Sequence, residues 1–170
     1  MKKTISIPTA ISSLRIAIPP IFLTLFNSGA IFWCLLLIAF SAFTDYLDGY
    51  ITRKLKVATK MGAYFDAITD FIVTIGIYAI FSGIGYYPLW LLLLITASFV
   101  QFLASSAYIK KLYDPIGRYI GSALNIGIVL TLFFPTQAIF IFAQVAFVGF
   151  FLISLLSSIA SFAKNRASTP

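Results

Sequence analysis

Carboxylates inside long apolar segments constrain this chain more than any other feature. Only five of its residues are acidic, and four of these, Asp45, Asp48, Asp66 and Asp70, lie within otherwise apolar stretches of membrane-spanning length. A carboxylate in hydrocarbon is costly and is rarely kept there without a cation or a proton to balance it. The fold must therefore supply such a partner to each of these side chains.

The composition is typical of a polytopic membrane protein. The chain is 61% hydrophobic and 10% charged, whereas a soluble domain carries about 25% charged residues. Its 170 residues allow one helical bundle, so we expect a single domain over residues 1–170. Apolar segments cut at charged and turn residues predict an all-α fold with six transmembrane helices. These lie near 9–27, 30–52, 61–82, 88–109, 117–134 and 138–163.

The distribution of basic residues predicts the orientation in the membrane. All 12 lysines and arginines fall near the N-terminus, between the second and third or fourth and fifth helices, or after the sixth. Cytoplasmic loops attract such residues during insertion, so both termini are expected in the cytoplasm. Topology thus explains the net charge of +7 without a nucleic-acid partner. The lysines at the N-terminus resemble the start of a signal peptide, but Pro8 and Arg15 interrupt the apolar region, which favours a retained N-terminus.

Aromatic residues and prolines predict local features of the helices. Tyr86, Tyr87 and Trp90 fit an aromatic belt at the membrane surface opposite the basic loops. The pair Pro19-Pro20 is expected to kink the first helix, because proline removes a backbone donor and clashes with the preceding turn. The single cysteine, Cys34, is expected to be packed or to face lipid.

Helical spacing brings the four aspartates together. Residues three or four apart share a helix face, so Asp45 and Asp48 point one way, as do Asp66 and Asp70. In an antiparallel hairpin that turns near residue 57, Asp48 pairs with Asp66, and Asp45 pairs with Asp70 about one turn deeper. Oxygen ligands suit Mg²⁺ or Mn²⁺. Two such ions can support in-line displacement at phosphorus.

Two glycines and an arginine indicate what the acidic cluster binds. Gly49 and Gly62 remove side chains on the cytoplasmic side of the carboxylates, and Arg53 is placed to meet a phosphate. Together these residues suggest a diphosphate substrate. The aspartates alone would also suit a cation- or proton-coupled transporter, or a set of carboxylates that neutralise one another and nearby lysines.

Residues 45–70 resemble the signature of the CDP-alcohol phosphotransferase family, D-x2-D-G-x2-A-R-x8-G-x3-D-x3-D. The one departure is Thr52, where the family usually has alanine. A weaker likeness to the family's opening motif, I-P-N-x-L-T-x2-R-x4-P, includes Arg15 and Pro19, with Thr9 and Ile11 replacing the usual asparagine and leucine. The matching signature positions are Asp45, Asp48, Gly49, Arg53, Gly62, Asp66 and Asp70.

The resemblance implies an enzyme of phospholipid synthesis at the cytoplasmic face of the cell membrane. An alcohol would attack the β-phosphorus of the donor, a CDP-linked lipid with acyl or isoprenoid chains, and CMP would be released. The implied roles are distributed over the signature. Metal ligands would be Asp45, Asp48, Asp66 and Asp70, with Asp70 also the candidate base, and the CDP pocket would contain Asp48, Gly49, Arg53 and Gly62.

Further residues bear on the acceptor and on the oligomeric state. The opening motif looks like that of phosphatidylglycerophosphate synthases, which favours glycerol 3-phosphate; inositol phosphate, serine or another alcohol are the alternatives. Lys110, Lys111 and Arg118 could bind a phosphate on the acceptor, although topology explains the same charges. Family resemblance implies a homodimer. Small residues that could form a close helix contact are Gly76, Ala79 and Gly83.

Overall fold

Every regular element that the structure describes is helical. The computed structural model describes residues 14–54, 60–109 and 117–167; the side chains of residues 48, 49, 51–53, 60, 61, 107–109, 117, 118 and 160–167 lie outside that description. Within these ranges there are six α-helices and no strand. They are α1 (Ile18–Asn27), α2 (Ile31–Lys54), α3 (Lys60–Gly83), α4 (Leu89–Ile109), α5 (Gly117–Phe133) and α6 (Gln137–Ala167).

The predicted all-α fold and its helix bounds are confirmed for the described residues. Helices α2 to α5 begin and end within two residues of the predicted limits, and α6 extends four residues further. The first helix differs. A 3-10 turn, Arg15–Ala17, precedes α1, and residues 9–13 lie outside the described part of the chain.

The expected proline kink is replaced by a helix start. Pro19 and Pro20 lie in the first turn of α1, directly after the 3-10 turn. The first N–H groups of a helix have no acceptor within it, so proline loses nothing there. The two prolines therefore favour the start of α1 at Ile18 instead of interrupting a longer α-helix.

Glycine ends two of the helices in the same way. After α1, Gly29 has φ of 72°, its N–H donates to the Phe26 carbonyl at 3.0 Å, and the Ala30 N–H donates to the Leu25 carbonyl at 3.0 Å. After α3, Gly85 with φ of 84° stands in the equivalent position. This pattern satisfies carbonyls at the helix end and needs a left-handed residue that glycine supplies without strain.

Among the residues whose side chains the structure describes, three helical segments are long and apolar enough to cross a membrane. They are Gly62–Gly83, Leu89–Ser106 and Gln137–Ile159. Shorter apolar helical segments lie at Arg15–Asn27, Ile31–Leu47 and Tyr119–Phe133.

The chain divides into two compact units, and the first, Met1–Ile80, contains a close helix contact. Gly76 of α3 faces Pro19 of α1, and a Cβ atom on Gly76 would lie 2.8 Å from both Cβ and Cγ of the proline. That is too short for a real contact, and the proline ring cannot rotate away. Gly76 therefore serves packing within the chain, whereas a Cβ on Gly83 would meet nothing within 4 Å.

Replacement of Gly76 by alanine is expected to destabilise the protein, because the added methyl must push α1 and α3 apart. Overpacking of this kind costs about 1–3 kcal/mol, and the thermal unfolding midpoint in detergent should fall. Gly83→Ala is the matched control, since it adds the same methyl to the same helix in open space. Equal midpoints for the two variants would contradict the contact.

The second unit, Phe81–Pro170, buries an aromatic residue that the sequence placed at the membrane surface. Tyr87 is 2% exposed, and its hydroxyl lies 2.6 Å from that of Thr131 on α5. Phe140 of α6 stacks on Tyr86 with ring centroids 4.6 Å apart and also contacts the Tyr87 ring. Tyr87 is therefore a core residue, contrary to the aromatic-belt prediction, while Trp90 remains exposed.

Polar side chains join α4 and α6 within this second unit. The Gln101 amide nitrogen donates to the hydroxyls of Ser154 and Ser158, each at 3.2 Å, and Ser105 lies 3.3 Å from Ser158. Hydrogen bonds between helices support association in an apolar surrounding, where burial of hydrophobic surface contributes little. In the first unit, Cys34 is fully buried, so of the two expected positions it takes the packed one.

Candidate active site

A buried arginine is the centre of the site in the first unit. Arg15 lies in the 3-10 turn before α1 and is 2% exposed. One of its terminal nitrogens, Nη1, donates to Oδ1 of Asp45 at 2.9 Å and to Oδ1 of Asp70 at 2.7 Å. Charge-assisted bonds of this length are the strong ones in proteins. Arg15 thus links the 3-10 turn to both α2 and α3.

Asp45 and Asp70 meet as the helix register predicts. They come from different helices, yet each places Oδ1 on the same nitrogen. Their side chains are half-exposed, at 52% and 51%, although the guanidinium between them is buried. The two carboxylates are therefore fixed on one side by Arg15 and open on the other.

The rest of the signature is described in part. Asp66 lies one helical turn before Asp70 on α3 and is partly buried, and its carbonyl accepts a 2.8 Å hydrogen bond from the buried Thr69 hydroxyl. Gly62 is partly buried in the first turn of α3. Asp48 lies in α2, but its side chain falls outside the described residues. The same holds for Gly49 and Arg53.

The described residues include part of the predicted metal site. Among the residues that the structure describes, no group of three or more His, Cys, Asp or Glu is close enough to hold a metal ion. Two carboxylates nevertheless converge on one cation, the Arg15 guanidinium. These hard oxygen donors fit Mg²⁺ or Mn²⁺, so the chemistry of the described pair agrees with a divalent ion.

Arg15 is the site residue that sequence reasoning missed. It fits both the basic side of the topology and the opening motif, and neither pattern predicts a carboxylate partner for it. The available signal was a charge inside an apolar run, four residues before Pro19. An intramembrane charge that has a carboxylate partner marks a functional site.

The side chains of the predicted acceptor residues fall outside the described part of the chain. Lys110 and Lys111 lie outside the described residues. Arg118 belongs to α5, but its side chain is outside the description. Their role therefore stays a prediction.

Comparison with known proteins points to one family. The family profile described as CDP-alcohol phosphatidyltransferase matches residues 5–162. This range contains all six described helices except the last residues of α6. It also contains Arg15, Asp45 and Asp70, so the whole observed ion-pair cluster lies within the match.

Individual relatives carry two kinds of name. A CDP-diacylglycerol--glycerol-3-phosphate 3-phosphatidyltransferase of Pectobacterium atrosepticum is 30% identical over 56% of this chain and 53% of its own length. The protein of the same name from Aquifex aeolicus is 27% identical over 75% and 73%. A provisionally named cardiolipin synthase of Mycobacterium tuberculosis is 27% identical over 54% and 44%. The chain spans about half or less of the length of several of these curated relatives.

Proposed function

This chain belongs to the CDP-alcohol phosphatidyltransferase family, and from that premise we propose that it is an enzyme of phospholipid synthesis. It transfers a phosphatidyl-type group from a CDP-linked lipid, CDP-diacylglycerol or CDP-archaeol, to an alcohol, and releases CMP. The observation that carries the proposal is the convergence of Asp45 and Asp70 on the buried Arg15 within the matched range.

The proposed reaction is a displacement at the β-phosphorus of the donor. The acceptor oxygen forms a bond to phosphorus, the bond from phosphorus to the CMP oxygen breaks, and CMP leaves with the electron pair. The acceptor proton passes to Asp70, whose half-exposed carboxylate can face a bound alcohol. Arg15 holds one oxygen of Asp70, which orients the other oxygen of that carboxylate.

Divalent metal is part of the proposal. Asp45, Asp48, Asp66 and Asp70 would hold Mg²⁺ or Mn²⁺, two ions in all. When bound, such ions neutralise negative charge on a diphosphate and stabilise the charge that develops in the transition state. The pairing of Asp45 and Asp70 on one cation supports this assignment.

Asp48, Gly49, Arg53 and Gly62 are proposed to bind the CDP moiety. Arg53 follows Asp48 by five residues on α2, and a guanidinium there suits a phosphate oxygen pair. Gly62 in the first turn of α3 is partly buried, in keeping with a position where a side chain would obstruct a ligand. These assignments follow the signature of the family.

Glycerol 3-phosphate is the acceptor that we propose first. Relatives from Pectobacterium atrosepticum and Aquifex aeolicus carry that alcohol in their names. Lys110, Lys111 and Arg118 would then bind its phosphate. Inositol phosphate, serine or a second phospholipid are the alternatives, and the name of the mycobacterial relative keeps the last of these open.

The setting of the enzyme is also proposed. All six helices would span the cell membrane as one domain over residues 1–170, with both termini and the active site facing the cytoplasm. Three long apolar helical segments and the one-sided distribution of basic residues support this topology. The working form would be a homodimer surrounded by membrane lipids.

CMP release by purified protein tests the proposed function. The protein in detergent is incubated with CDP-diacylglycerol, Mg²⁺ and one alcohol at a time, and CMP and the lipid product are measured by mass spectrometry. Glycerol 3-phosphate should give the highest rate. Absence of CMP with every alcohol, together with cation flux in liposomes, would instead indicate a transporter.

A further inference from the structure

The position of Arg15 differs from that of an arginine in an ordinary surface ion pair. A single nitrogen of this residue contacts carboxylates from two helices. The guanidinium is buried, while both carboxylates remain half-exposed. A surface ion pair between flexible side chains would show the opposite distribution, with the arginine in solvent.

Arg15 places a positive charge between two carboxylates that are proposed to bind metal. The two oxygens that it contacts come from residues proposed as metal ligands, so its positive charge acts on the same carboxylates as a metal would. A like charge in contact with the ligands disfavours the binding of a second cation, and burial of the guanidinium strengthens this effect. Arg15 also fixes the spacing between α2 and α3 at this level.

We propose that Arg15 is a positioning residue that acts as the internal counter-ion of the acidic site and weakens its hold on divalent metal. The inference rests on the proposed function, because it takes Asp45 and Asp70 as metal ligands. In the absence of metal, Arg15 keeps these two carboxylates together. When metal is added, the same guanidinium competes for these carboxylates, which lowers the affinity of the site and allows the metal to exchange.

The first test measures metal binding without turnover. Mn²⁺ is titrated into chelator-stripped protein in detergent, and free Mn²⁺ is counted by electron paramagnetic resonance. Arg15→Gln should bind Mn²⁺ about tenfold more tightly than the unaltered protein, while its thermal unfolding midpoint in EDTA should be lower. Equal or weaker Mn²⁺ binding by this variant would overturn the proposal.

Lys54 offers a matched control on α2. Its side chain is exposed and lies over the Tyr50 ring, with Nζ 5.6 Å from the centroid. Lys54→Gln removes one positive charge, as Arg15→Gln does, but away from Asp45 and Asp70. Its Mn²⁺ affinity should match that of the unaltered protein. An equal gain in both variants would show a general charge effect and overturn the role of Arg15.

A second measurement covers the case in which Arg15→Gln does not fold. The chain contains four arginines, so ¹⁵N-arginine labelling gives few guanidinium signals, and Arg15→Lys identifies the one from Arg15. That signal should be protected from water exchange in EDTA and lose protection as Mg²⁺ is added. No change up to saturation would overturn the proposal.

The outcomes separate this inference from the proposed function. Unaltered protein that releases CMP and binds Mn²⁺, together with Arg15→Gln binding no tighter, leaves the enzyme assignment intact and removes the role of Arg15. Unaltered protein that binds no Mn²⁺ removes both the role of Arg15 and the proposed metal site. Absence of CMP with normal metal responses removes only the transferase.

Discussion

Turnover is expected to fall by about 10²–10⁴-fold when Asp70 is replaced by asparagine, which is the usual contribution of a positioned base. Asparagine keeps the shape of the side chain, and its carbonyl oxygen can still accept the Arg15 hydrogen bond that Asp70 accepts at 2.7 Å. The amide cannot take the acceptor proton and is a poorer metal ligand. Binding of the CDP-linked lipid should be largely retained, as measured by calorimetry alongside CMP release.

The control for this variant is Asp114→Asn. Asp114 is the one acidic residue outside the signature, so its replacement removes the same charge without removing a proposed metal ligand or the proposed base. Near-normal turnover is expected. If Asp70→Asn also keeps near-normal turnover, Asp70 is not the base. If it loses lipid binding in proportion to turnover, the carboxylate serves the donor rather than the acceptor.

Helix positions could be predicted from the sequence because the residues that end the helices are easily recognised. Gly29 and Gly85 end α1 and α3 through left-handed turns, and both stand in the predicted linkers. Tertiary contacts were less accessible. Gly76 meets Pro19 and Tyr87 meets Thr131, in each case across dozens of residues. The local sequence around Gly76 also fitted a contact between the helices of a dimer, and that around Tyr87 also fitted an aromatic belt at the membrane surface.

The candidate site shows the same division. The spacing of Asp45 and Asp70 predicted their approach, because an antiparallel hairpin has a fixed register. The spacing could not predict which cation joins them. Along the chain, Arg15 lies 30 residues from Asp45 and 55 from Asp70. A basic residue at this helix start also fits the rule that cytoplasmic segments are rich in lysine and arginine. Only packing of the 3-10 turn against α2 and α3 distinguishes the two roles.

Removal of divalent metal is expected to stop the reaction. Protein stripped with EDTA should release no more CMP than the Asp70→Asn variant, and Mg²⁺ or Mn²⁺ should restore the rate. The physical reason is charge: a diphosphate cannot approach four carboxylates unless cations reduce their negative potential. Metal content is verified by mass spectrometry, and EDTA loaded beforehand with equimolar Mg²⁺ controls for effects of the chelator on detergent and protein.

Metal should also change stability, for a reason specific to this chain. Arg15 contacts two aspartates and contributes one positive charge toward a proposed cluster of four negative ones. The remaining negative charge of the carboxylates opposes the close approach of α2 and α3, and bound metal would reduce this repulsion. The thermal unfolding midpoint should therefore rise when Mg²⁺ is added to stripped protein. Unchanged turnover and an unchanged midpoint in verified metal-free protein would mean that the aspartates act without metal, with Arg15 as their cation.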